Sequence, residues 1–149
     1  MLNPLRALKR RRAARVGVGV GVGVDLGAGA EVDELLSLAR ASFVQMQAAW
    51  DRADLHALGK LATGPLLDDL RCQLQERGPA HNHTEVVSLH ARLLSLDDLR
   101  EAQLASVEFT GLIQEDQARS AAPFRELWLL ANVKSAGNGW RLARVQALA

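Results

Sequence analysis

At Gly78-Pro79 the spacing of apolar residues along this chain changes from every third or fourth position to every second. A helix repeats about every 3.6 residues and a strand about every 2, so the switch divides the chain into a helical first part and a β second part. Upstream, Leu36, Phe43, Met46 and Trp50 fall on one stripe of a helix expected from about Asp33 to Ala53. A short second helix carries Leu55, Leu58 and Leu61. A third, with Thr63 as N-cap and Pro65 in its first turn, aligns Leu66, Leu67, Leu70 and Leu74 before Gly78 ends it. Downstream, Val87, Leu89, Ala91 and Leu93 alternate with Ser88, His90 and Arg92, and Ala105, Val107 and Phe109 alternate with Ser106, Glu108 and Thr110. "PFRELWLLANV" and "GWRLARVQAL" supply two more strands, joined by a turn from Ser135 to Gly139 rich in residues that tolerate positive φ.

Three helices followed by a four-stranded meander predict an α+β domain, with the helices gathered on one face of an antiparallel sheet. A sheet that curls around those helices makes a cone with an apolar mouth. Phe43, Trp50, Leu70, Phe109 and Trp128 are then the residues expected to line a ligand pocket. This domain is assigned to residues 33–149, and residues 1–32 to a basic, Gly/Val-rich tail or linker.

The tail concentrates the positive charge. Arg6, Lys9, Arg10, Arg11, Arg12 and Arg15 stand in the first 15 residues with no acid among them, which leaves the rest of the chain at a net charge of about −5. Attraction to phosphate, on lipid or nucleic acid, therefore belongs to the tail. "MLNPLRALKRRRAARV" reads as a short helix with Asn3 as N-cap and Pro4 in the first position. Such a helix can lie on an anionic membrane, where each Lys or Arg contributes about 1 kcal/mol; a solvated basic tail is the alternative.

The Gly-Val alternation that follows is not a nucleotide loop. Gly17, Gly19 and Gly21 have Val22, Val24 and Leu26 at the fifth position onward, where a dinucleotide loop needs a third glycine, and no GK[ST] follows for a P-loop. The apolar run from Val16 to Val24 is far short of the roughly 20 residues that span a bilayer. Ala28-Gly29-Ala30 has the form of a signal-peptidase site, but the glycines and Asp25 favour a flexible linker; an edge strand is the third option.

Few catalytic chemistries are encoded. The lone Cys72 forms no internal disulfide and has no CxxC partner. His81 and His83 point apart in a loop, so no metal site is expected, and no nucleophile elbow is present. Glu126 shares a strand face with Phe124, Trp128 and Leu130. An inward face would make it a candidate base; the favoured expectation is an outward face, or a pair with Arg141 or Arg144.

"NHTEVVSLHARLL", "ASVEFTGLIQED", "PFRELWLL" and "GWRLARVQAL", together with "FVQMQAAWDRADLHALGKLATGPLLDDLRCQLQERG", resemble the Tim44-like domain in order and spacing over residues 33–149. The E-x-W of the third strand and the G-W-x-L of the fourth are the most recognisable part; Arg144 stands where the family usually has a small residue. The resemblance implies a cone-shaped α+β fold related to the nuclear transport factor two-like group, with a large apolar pocket; no cofactor is expected. It implies peripheral association with the inner membrane through anionic lipid, and for bacterial relatives a lipid-binding or tethering role. The function expected is a non-enzymatic, membrane-associated binding module, peripheral on a bacterial inner membrane, with an unidentified protein partner as a further possibility. Two alternatives stand beside it. One is a protein- or ribosome-interaction module with a solid core, although the acidic body argues against specific nucleic-acid recognition. The other is a ketosteroid-isomerase-like enzyme using Glu126, which would need an oxyanion donor in a chain without Tyr.

Overall fold

The computed structural model describes residues 29–79, 83–115 and 120–148. Three helices precede four strands: α1 Gly29–Asp51, α2 Leu55–Leu61, α3 Gly64–Arg77, β1 Thr84–Asp98, β2 Ala102–Glu115, β3 Ala122–Val133 and β4 Trp140–Ala147. The strands form one antiparallel meander in the order β1-β2-β3-β4. This is the α+β architecture expected from the period switch.

Helix α1 begins four residues before the expected Asp33, with Glu31 in its first turn, where a carboxylate complements the positive helix end. Its buried stripe runs Leu35, Ala39, Phe43, Met46 and Trp50. Leu36, expected at the head of that stripe, lies beside it and is only partly buried. The stripe is set by four-residue steps through Ala39, a residue too small to stand out in a search for bulky positions. The helix ends at Asp51 rather than Ala53. Ala53 takes a positive φ of 55°, and its N–H donates to Trp50 O while that of Asp54 donates to Ala49 O. The chain therefore reverses within three residues, and the Asp54 carboxylate caps α2 by accepting from the Ala57 N–H at 3.1 Å.

Between α2 and α3 the chain is drawn into the sheet. Ala62 makes an isolated parallel bridge to Leu142, and the Thr63 N–H donates to Leu142 O at 2.9 Å, which covers part of the free edge of β4. Thr63 occupies the N-cap position of α3 as expected, but its side chain makes no capping bond. Arg77, at the end of α3, donates to Trp50 O at 2.7 Å and Asp51 O at 3.4 Å, satisfying carbonyls at the α1 C-terminus. Asp51 in turn accepts from the Thr84 N–H and hydroxyl, so one helix end fixes both the end of α3 and the start of β1.

Strand β1 carries two register shifts, between Val86 and Ser88 and between Leu93 and Ser95, where two of its residues oppose one on β2. Such bulges bend and twist a strand and so help the sheet curl over the helices. They also correct the expected alternation: Val86 packs against the core, whereas Val87, assigned to the inner face, is the extra residue of the first bulge and is exposed. Gly111 of β2, paired with Leu89 just past this bulge, has a φ of +157°, and a Cβ there would collide with the Ser88 carbonyl oxygen. β4 is bulged in the same way, with Ala143 extra between Leu142 and Arg144 opposite Leu130 and Leu129.

Candidate functional site

The five residues assigned to a pocket all belong to one continuous buried cluster. Phe43 of α1, Phe109 of β2 and Trp128 of β3 come together, joined by Phe124, which was not on the list. The Phe43 ring lies 4.9 Å from Phe109, 5.0 Å from Trp128 and 5.4 Å from Phe124, and Phe109 meets Trp128 edge-on at 5.0 Å. These are distances of direct aromatic packing, so these rings fill the space between one another. Trp50 is buried at the other end of α1, with the Arg77 guanidinium over its ring at 5.3 Å. Its indole N–H is buried and has no acceptor among the described residues. Leu70 is fully buried on α3.

The β3 face that carries Phe124, Glu126, Trp128 and Leu130 is inward, with Glu126 only 3% exposed. This corrects the expectation of an outward face. The Glu126 Oε1 accepts from the Trp128 indole N–H at 3.1 Å, a buried bond between residues two apart on one strand. Arg141 is instead directed to Gly59 O at 2.7 Å, and Arg144 lies opposite Leu129 on the outer face, beside Ser106 and Gln146. The physical reason lies in the pleat: Glu126 shares its face with Trp128, and the ring carries the burial decision.

A second buried glutamate lies on the outer face of the same sheet. Glu108 accepts from Arg125 Nε at 3.0 Å and Nη2 at 2.7 Å, and its other oxygen is 3.2 Å from Arg92 Nη2. Sequence alternation put Arg92 and Glu108 on the outside but could not pair them, because the pairing depends on register: Arg92 stands directly opposite Glu108, and Arg125 reaches it diagonally, two residues before the Leu127 that faces Glu108 on β3.

Helices α2 and α3 border a surface groove of about 430 Å³, open to solvent. Leu55, Gly59 and Leu67 lie along it together with His56, Lys60 and Arg71. Neither this groove nor the Glu108 clamp was anticipated. The only signal for the groove was the glycine inside "LHALGKL", an uneconomical residue for a helix interior.

The tail cations Arg6, Lys9, Arg10, Arg11, Arg12 and Arg15, and the Gly-Val alternation, lie outside the described residues, as does His81. Gly29 and Ala30 of the Ala28-Gly29-Ala30 triplet are the first two residues of α1. Among the described residues no group of three or more His, Cys, Asp or Glu could hold a metal, and no helix is long and apolar enough to cross a membrane.

The fold so described is a helical layer on a curled four-stranded sheet, and comparison with known proteins assigns it. The family model for the Tim44-like domain matches residues 27–147, and the chain belongs to that family. Among solved structures, the intermembrane-space region of the chloroplast protein ARC6 is similar with a TM-score of 0.50 at 12% identity, over 76% of this chain and 96% of that one. A nuclear transport factor 2-like superfamily protein from Salmonella enterica serovar Typhimurium gives a TM-score of 0.48 at 11% identity, over 79% and 92%. At 12% identity the likeness to the ARC6 region concerns the fold alone. A comparison with curated proteins finds no match.

Proposed function

We propose that this chain is a non-enzymatic module that rests on an anionic membrane surface, peripheral on a bacterial inner membrane, and binds a partner through its folded body. The observation that carries this is the position of the cations: the six Arg and Lys residues between Arg6 and Arg15, with no acid among them, stand ahead of the Tim44-like match that starts at residue 27, separated from it by the Gly-Val stretch. A cluster of that size beside a folded domain gives additive attraction to anionic lipid, screened by salt over about 10 Å at 0.1 M. Full-length protein should bind vesicles containing phosphatidylglycerol, release as salt rises, and lose binding when the six cations are replaced by glutamine. Equal binding by the substituted chain would remove the tail from this role.

Two readings of the body follow from different observations. The ring contacts around Phe43 support a filled interior and a body that binds at its surface. The buried Trp50 indole N–H without an acceptor supports an interior apolar ligand with a polar head, such as a fatty acid lodged among Phe43, Trp50, Leu70, Phe109 and Trp128. Titration with a lysolipid below its micelle concentration separates them. Saturable change in tryptophan emission, weakened by Leu70→Trp in a protein that still folds, supports the ligand; no change, together with unfolding of Leu70→Trp by overpacking, supports the filled core.

A further inference from the structure

The groove between α2 and α3 is built from three pairs of residues spaced four apart. On α2, Leu55 and Gly59 form one pair and His56 with Lys60 the other; on α3 the pair is Leu67 and Arg71. Residues four apart share a helix face, so the apolar members lie side by side and the cationic members flank them. Gly59 holds the floor open. It has ordinary helical geometry, so no turn demands a glycine, yet a Cβ there would come within 3.3 Å of Leu67 Cδ2. An interior glycine costs a helix about 1 kcal/mol relative to alanine, and here it stands where a side chain would fill the groove.

The charge of the rim is available to a partner. Among the described residues Lys60 makes no ion pair, and Arg71 is in an ion pair with Asp68 at 3.7 Å, with both side chains more than half exposed, so that a partner's carboxylate can compete for it. Of the other carboxylates nearby, Asp54 is engaged in capping Ala57 and in its contact with Arg52, and Asp69 of α3 also has a partner. The rim is therefore cationic and the floor apolar. A shallow groove open along its length does not enclose an acyl chain, which needs most of its surface covered. It does suit an amphipathic protein segment, whose leucine-like side chains enter the floor while flanking carboxylates meet Lys60 and Arg71. The cationic tail of this same chain is excluded as its occupant by like charge.

We infer that the α2–α3 groove is a docking site for an acidic amphipathic segment of a partner protein, with Leu55 and Leu67 as its floor and Lys60 and Arg71 as its charge readers. The probe is a short fluorescein-labelled helical peptide with leucines at i, i+3, i+4 and i+7 flanked by glutamates, and its counterpart in which lysines replace the glutamates. Binding to the full-length chain is followed by anisotropy, with circular dichroism to verify the fold of each variant. The acidic peptide should bind saturably and in preference to the basic one. In Lys60→Glu/Arg71→Glu both exposed charges are reversed, so the acidic peptide should bind about tenfold more weakly and the preference should invert toward the basic peptide. Equal binding of the acidic peptide by the folded double variant would overturn the site and leave the attraction to the basic tail. Loss of vesicle binding in the double variant, with no peptide binding by the unsubstituted chain, would also overturn it and make these cations a lipid contact.

Discussion

The sheet buries a glutamate on each of its faces, and it does so in two different ways. Glu108 and Glu126 lie on neighbouring strands, and Glu126 stands opposite Phe109, the residue next to Glu108. On the outer face Glu108 is covered by Arg92 and Arg125, long side chains from the two flanking strands that keep their own contact with water. On the inner face Glu126 is buried beside the aromatic cluster's strand positions Phe124 and Trp128 and receives the Trp128 indole N–H from its own strand. The difference teaches that depth alone does not describe a buried carboxylate. The outer one is held by charge across strands and is open to screening; the inner one depends on packing that places its contacts, the Trp128 indole N–H among them.

The largest effect that would break this comparison comes from the ring. Trp128→Ala removes a fully buried aromatic that touches Phe43 and Phe109 and also removes the donor to Glu126, and it should cost about 3–5 kcal/mol in urea unfolding. A loss below about 1 kcal/mol would mean that the aromatic cluster does not hold the inner face together.

Replacing each glutamate with methionine sharpens the contrast, because shape is kept and the oxygens are lost. Glu126→Met leaves the buried indole N–H without this acceptor, so a loss of about 1–3 kcal/mol is expected, less sensitive to salt than the loss at Glu108 because the site is buried. Glu108→Met should cost about 1 kcal/mol at low salt, since its arginine partners are more than half exposed and can be hydrated instead. That loss should shrink in 1 M NaCl, where charges are screened within about 3 Å. Identical salt dependence for the two variants would erase the distinction between the faces.

The smallest expected effect concerns a third carboxylate, on the surface. The backbone N–H of Ala57 holds the Asp54 carboxyl below its usual 3.8, with Arg52 acting in the same direction. A depressed folded-state value means that its contribution is present above the unfolded value of about 3.8 and is lost as pH falls through the lower folded value. Thermal melts should therefore show wild type ahead of Asp54→Ala at neutral pH and the gap closing in acid. A gap that is constant with pH would mean that the cap does not depend on the charge.

Much of the architecture was legible because it is periodic. The change of spacing at Gly78-Pro79 marks the boundary between α3 and β1, and the alternation of Ala105, Val107 and Phe109 fixes the inner face of β2. The alternation failed at Val87 because a bulge adds a residue without leaving any mark in the hydrophobic pattern. The Tim44-like resemblance was likewise readable from ordered motifs. The groove was not, since its rim is assembled from two helices whose relative placement rests on the Ala62 bridge and the Thr63 contact with Leu142.

The sequence by itself determined the order of elements, the family and the concentration of cations ahead of the domain, because periodicity and charge are local properties carried along the chain. Only the tertiary structure decided that Glu126 faces inward, that Glu108 is gripped by Arg92 and Arg125, and that Leu55, Lys60, Leu67 and Arg71 share one groove. Each of those depends on register or on helix placement, which are set by the joint packing of residues distant in the chain.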